Sequence, residues 1–136
     1  VDAVVCAFLL CHLPTLGQVM QEYARVVRPG GRLVLSDVHP LLILLGWRAQ
    51  FRTASGEAAY ITLHAHLLSD SLQAFTAAGF RVRGCYEPRL TPEAAGTVVG
   101  AHVPEAQHAA FGGLPGLVIW DLERDSARVP AEDSHG

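Results

Sequence analysis

The sequence predicts an α/β fold: a partial doubly wound sheet of about four strands, two parallel and then an antiparallel final pair, with flanking helices. Three observations predict it. Residues 1–10 form a nearly unbroken apolar run with β-branched Val1, Val4 and Val5. A helical pattern follows, ends at Arg28-Pro29-Gly30-Gly31, and gives way to a second apolar run, Leu33-Val34-Leu35. Later, Phe80, Val82, Gly84 and Tyr86 alternate with polar residues, and a last apolar stretch covers 117–122.

Each element has its own justification. Apolar residues at nearly every position of 1–8 suit a parallel strand covered on both faces. Thr15 with Gln18 three residues on predicts a capping box, and Pro14 stops structure running in from upstream. Leu16, Val19, Met20, Tyr23 and Val27 recur at helical spacing on one face. Pro29-Gly30-Gly31 ends that helix and turns the chain into a second, fully buried strand. A right-handed crossover makes the two strands parallel. Pro40 breaks the second strand, and 41–47 reads as a helical or irregular cap. Ser55-Gly56-Glu57 marks a loop, with a short extended segment at 60–63. Ser69 or Asp70 is expected to cap a helix whose apolar face is Leu72, Phe75 and Thr76 and which ends at Gly79. The alternation over 80–87 gives a strand with one wet face, as at a sheet edge. Residues 91–113, rich in Ala, Gly, Pro and His, are expected to hold one or two short helices. One domain is expected over 1–125, with 126–136 a polar, disordered tail.

Composition narrows the function classes. Half of the residues are apolar, the formal net charge is −3, and the ten basic residues are dispersed arginines. No basic stripe for a nucleic-acid backbone or an anionic membrane results. Three cysteines, Cys6, Cys11 and Cys85, without CxxC spacing argue against a disulfide framework or a zinc ribbon and fit a reducing, cytoplasmic compartment. No apolar run approaches the roughly 18 residues of a membrane span.

Residues 1–38 resemble the fourth strand, fourth helix and fifth strand of class I S-adenosylmethionine-dependent methyltransferases. The residues that carry this are Asp2 and Val4-Val5, Leu10 and His12-Leu13-Pro14, then Glu22, Arg25-Val26 and Arg28-Pro29-Gly30-Gly31-Arg32-Leu33. Residues 69–86, with Ala77-Ala78-Gly79-Phe80 before a strand, look like the last helix and sixth strand of that family, and 117–122 like its seventh, antiparallel strand. The resemblance implies a Rossmann-like sheet, S-adenosyl-L-methionine as cofactor and a small-molecule acceptor, with no nucleic-acid or membrane partner. The family's Gly-rich cofactor loop and its ribose-binding acidic residue have no counterpart in this sequence; Gly30-Gly31 and Gly112-Gly113 are not substitutes, since neither follows a strand and opens a helix. The expectation is therefore a C-terminal portion of the domain, inactive alone, whose first strand exposes an apolar edge open to self-association. The alternative is a non-catalytic truncated lobe serving as a binding or interaction module. A dehydrogenase sharing only the βαβ unit is disfavoured by the match from Glu22 to Leu33.

By the resemblance, Cys6, Ala7 and Phe8, at the carboxyl end of the first strand, border the cofactor; the plain alternative is buried strand. His12 either serves as a base toward the acceptor or holds the loop before the helix. Asp37 and His39 end the second strand on the same ligand-bearing edge: Asp37 orients His39, which contacts acceptor, or Asp37 caps the segment after it. His39, His64 and His66 with an Asp would suit a divalent cation if brought together, but nothing in their spacing requires it, and no metal site is assigned. Cys11 and Cys85 read as small packing residues rather than nucleophiles. Trp47 and Phe51 either line an acceptor pocket or pack a cap.

Overall fold

Leu33, Leu35, Trp120 and Leu122 form the buried stripe around which the chain is organised. In the computed structural model, residues 1–99 and 111–126 are described. Among the described residues, six strands and four helices follow in order: β1 (Ala3–Ala7), a 3-10 turn (Leu10–His12), α1 (Gly17–Val26), β2 (Arg32–Val38), α2 (Pro40–Leu44), β3 (Ala49–Arg52), β4 (Ala58–Ile61), α3 (Leu68–Ala77), β5 (Phe80–Tyr86), α4 (Pro92–Val99) and β6 (Leu117–Arg124). The main sheet has the order β1-β2-β6-β5, and β3 and β4 form a separate hairpin. β1 and β2 run parallel, with Ala3 opposite Arg32 and Ala7 opposite Ser36. β6 lies antiparallel to both β2 and β5. The predicted α/β sheet of four strands, a parallel pair followed by an antiparallel pair, is what the chain adopts.

The turn between α1 and β2 shows why its sequence is so particular. Gly30 sits at φ +74°, and a Cβ at Gly31 would lie 2.8 Å from the Arg28 carbonyl oxygen and 2.9 Å from that of Asp2. Both positions therefore need glycine. The turn is sewn to the sheet by Arg28 N–H donating to the Val1 carbonyl (3.0 Å) and Gly30 N–H to that of Arg124 (2.8 Å).

α1 packs as its periodicity predicts, with Leu16, Met20 and Val27 buried and Val19 and Tyr23 against the same core. Its start differs from expectation. Leu16 is the N-cap residue and no side chain caps the helix, so the Thr15–Gln18 capping box does not form. The strands differ too. β2 alternates buried and half-buried residues, and in β1 Val5 is 76 % exposed. Continuous apolar runs thus lie in strands buried on one face only, because the main core cluster gathers on a single face, where α1 and α3 contribute Met20 and Phe75.

α3 is rotated from the predicted face. Ser71, Phe75 and Ala78 are buried, while Leu72 and Thr76 are exposed. Phase, rather than hydrophobicity, decided this: Phe75 meets Trp120 edge to face at 5.1 Å and fixes the helix rotation. The helix begins at Leu68, and Asp70 reaches back to accept from the Leu67 N–H at 3.0 Å, so neither Ser69 nor Asp70 is the cap position itself. β5 is an edge strand as expected, but a bulge between Val82 and Gly84 breaks the alternation. Val82 faces Leu122, whereas Cys85, not Gly84, faces Trp120. One extra residue flips every later side chain to the other face.

The segment between β2 and α3 holds more order than the sequence suggested. His39 and Pro40 open α2, and β3, which the sequence reading lacks, pairs with β4 around the Thr53–Gly56 turn. This cap rests on a satellite cluster of Cys11, Ile43 and Leu63, with Val38, Trp47, Ala49 and Ala65 around it. α4 supplies one helix of the expected stretch 91–113; the remainder of that stretch over 100–110, and the tail over 127–136, lie outside the described residues.

Candidate functional site

In an open α/β sheet, ligand is met at the carboxyl ends of the parallel strands. Here those ends are Ala7-Phe8 after β1 and Val38-His39 after β2. Phe8 is the one non-glycine among the described residues with positive φ, at +53°. Its N–H donates to the Ser36 carbonyl at 2.8 Å, so the sheet itself holds this left-handed conformation while the ring stays 52 % exposed. Such strain, about 1–2 kcal/mol, concentrates at sites that contact ligands. Ala7 is exposed beside it. Cys6 points the other way, into the main core, and its thiol meets Tyr23; burial first, and then that thiol, raises the Tyr23 phenol above its usual range.

Asp37 is buried, and its carboxylate accepts from the Cys11 N–H at 2.9 Å and from the Val38 N–H at 2.8 Å. It therefore clasps the 3-10 turn after β1 to the end of β2. Burial, followed by the neighbouring Asp37 carboxylate, pushes the Cys11 thiol up to about 12, which leaves it protonated and unreactive at neutral pH. His39 makes no hydrogen bond to Asp37. Leu41 N–H donates to His39 Nδ1 at 3.1 Å, so Nε2 carries the proton and donates to Glu87 Oε1 at 2.8 Å. Buried, with both ring nitrogens engaged, His39 caps α2 and ties it to the end of β5. His12 is exposed at the end of the 3-10 turn.

Two residues read from the sequence mainly as metal candidates prove to be part of this edge. His66 Nε2–H donates to the Leu10 and Leu13 carbonyls at 3.1 and 2.8 Å, a second clasp on the turn after β1. His64 N–H donates to the Cys11 carbonyl at 2.7 Å, and its ring stacks near His66 with centroids 6.4 Å apart. Among the described residues no three His, Cys, Asp or Glu side chains gather to hold a metal ion. Between the turn, β2 and α2 lies a cavity of about 20 Å³ bordered by Cys11, Asp37, Ile43, His64, His66 and Ser71. That is room for about one water molecule with polar partners at hand. An open cleft of about 760 Å³ adjoins it, running from Thr15 and Gly17 past His64 and His66 to Asp70 and Gln73.

Sequence reasoning found the ends of both strands but missed Glu87 and the clasp by His66. The signal for Glu87 was a lone acid after an edge strand, which does not announce its partner 48 residues away.

Comparison with known proteins places this edge in context. Residues 1–35 match the family model described as a methyltransferase domain. Over 29 residues the chain is 55 % identical to methyltransferase GfsG of Streptomyces halstedii, a match spanning 21 % of this chain and 10 % of that protein. The fold is similar to an S-adenosylmethionine-dependent methyltransferase from Mesorhizobium loti, with TM-score 0.63, 15 % identity, and coverage of 90 % of this chain and 62 % of that one. It is also similar to the 1,6-didemethyltoxoflavin-N1-methyltransferase of Burkholderia thailandensis, solved with 1,6-didemethyltoxoflavin and S-adenosylhomocysteine, with TM-score 0.50, 13 % identity, and coverage of 92 % and 44 %. The chain thus spans less than two thirds of the chains it matches, and at such identities the structural likeness speaks for the fold. With the family match over β1, α1 and the start of β2, it bears out the resemblance to class I S-adenosylmethionine-dependent methyltransferases.

Proposed function

We propose that this chain, with the Rossmann-like sheet of the class I methyltransferases, forms the acceptor side of an S-adenosylmethionine-dependent methyltransferase acting on a small molecule. The observation that supports the reading above all is a coincidence of place: the family match over residues 1–35 ends at the edge where Phe8 is strained and the turn after β1 is clasped twice. Backbone and side chains of Ala7 and Phe8 would border the cofactor when it is bound, and Cys6 would support them from beneath. The cofactor supplies a sulfonium methyl for direct displacement. The protein's part is then to align the acceptor and exclude water.

Of the residues assigned catalysis by resemblance, Asp37 and His39 fit positioning roles, since hydrogen bonds occupy both. To His12, exposed and with a ring that makes no hydrogen bond among the described residues, we assign the role of taking a proton from an acceptor hydroxyl or amine. The Gly-rich loop typical of the family is not among these 136 residues. By themselves they are expected to bind cofactor poorly, to be inactive, and to self-associate through β1. We place them in the cytoplasm.

Calorimetric titration with S-adenosylhomocysteine tests this. A polypeptide that adds a strand and Gly-rich loop ahead of β1 is expected to bind in the micromolar range, and no binding there would overturn the methyltransferase reading. Micromolar binding by the 136 residues alone would instead show that their site is complete.

A further inference from the structure

The hairpin cap carries a second cleft, tied to the site above through Trp47, which packs on the cluster of Cys11, Ile43 and Leu63. It has a volume of about 300 Å³ and is lined by Leu45, Trp47, Arg48, Gln50, Tyr60 and Phe111. Its walls follow from the hairpin register. Gln50 stands opposite Tyr60, so both present to the same face, while Ala49 on the other face packs on the satellite cluster. Trp47 packs on that same cluster and also borders the cleft, so one wall is fixed to the body of the protein. Tyr60, at 61 % exposed, leaves much of its ring open to a ligand.

Arg48 gives the cleft its charge. Its Nη1 donates to the carbonyls of Ile43 at 2.9 Å and Trp47 at 2.7 Å, which pins the guanidinium at the end of α2. Its Nε and Nη2 make no hydrogen bond, and no carboxylate pairs with it, among the described residues. A cation held still beside aromatic faces suits one ligand chemistry. Flat rings stack on Trp and Tyr, and an acid answers a guanidinium with charge-assisted hydrogen bonds.

We propose that this cleft binds a planar aromatic molecule bearing an acidic group and, resting on the methyltransferase reading, that the methyl acceptor belongs to this class. The test uses 2-naphthoate without cofactor, followed by calorimetric titration, with 2-naphthamide and octanoate as comparators. Sub-millimolar binding of naphthoate is expected, with both comparators weaker by about tenfold or more. Tyr60→Ala should weaken naphthoate about tenfold, whereas Phe51→Ala, on the opposite hairpin face, should leave it unchanged. Equal binding of the amide overturns the role of Arg48, equal binding of octanoate overturns the aromatic class, and equal loss in both variants overturns the location. Naphthoate binding in a protein that never binds S-adenosylhomocysteine would remove the acceptor role but keep the cleft. The reverse result would remove the cleft and leave the methyltransferase reading standing.

Discussion

Phe8 concentrates the tension between folding and function at a single position. A phenylalanine at φ +53° costs about 1–2 kcal/mol relative to a residue at ease in the left-handed region. Its ring is half exposed and repays little of this through burial. Phe8→Asn, which tolerates that conformation, is therefore expected to stabilise the fold by about 1 kcal/mol, read as a rise of a few degrees in thermal melting. A fall in melting temperature would mean that packing of the ring outweighs the strain. Strain of this kind was invisible in the sequence, where Phe8 is one more apolar residue in a run. The same holds for the other site residues. Asp37 and His39 were legible as polar residues at a strand tip, but their partners, the Cys11 N–H and Glu87, come from distant segments that only the fold brings together.

β5 and β6 show which features of an element a sequence reveals and which it hides. That β5 is an edge strand was legible from its alternating arginines. The bulge at Arg83 was not read, although Gly84, where a Cβ would lie 2.9 Å from the Tyr86 ring, is the residue that marks it, and it reverses the faces of Cys85 and Tyr86. The edge is closed by ion pairs from Arg81 and Arg83 to Glu123, the Arg83 contact at 2.5 Å. The hydrogen bond from Arg83 holds the Glu123 carboxyl below its ordinary value of 4.5. A carboxyl depressed in the folded state lends stability that is present above its unfolded value and disappears as pH falls through its folded one. Arg83→Ala should accordingly be less stable than the parent at pH 7. The gap should narrow below about pH 4.5 and close in stronger acid, as followed by urea denaturation across that range. A gap that persists in acid would assign the loss to packing of the arginine stem. α3 teaches the same lesson about phase: its existence and its end before Gly79 were legible, but its start at Leu68 was not, and the Phe75–Trp120 contact set its rotation.

At the scale of the whole molecule the open question is what β1 does with its free side. Asp2 accepts from the Arg32 N–H at 2.9 Å and Phe8 donates to Ser36 at 2.8 Å, so the alternate residues of the strand bond to β2. Ala3, Val5 and Ala7 consequently direct their N–H and C=O groups to the open edge, and all three are exposed. An unpaired strand with apolar side chains is a template for another strand. The 136 residues are therefore expected to associate in a concentration-dependent way through β1, seen by sedimentation velocity across a tenfold range of concentration. Val5→Lys places a charge at the middle of that edge, at a position 76 % exposed, and should shift the population toward monomer without loss of helical circular dichroism. A monomer at every concentration, with a sharp melting transition independent of concentration, would show that the sheet is stable with this edge left bare. If instead Val5→Lys associates as strongly as the parent, the contact lies elsewhere on the molecule, and the open edge of β1 is not what draws two copies together.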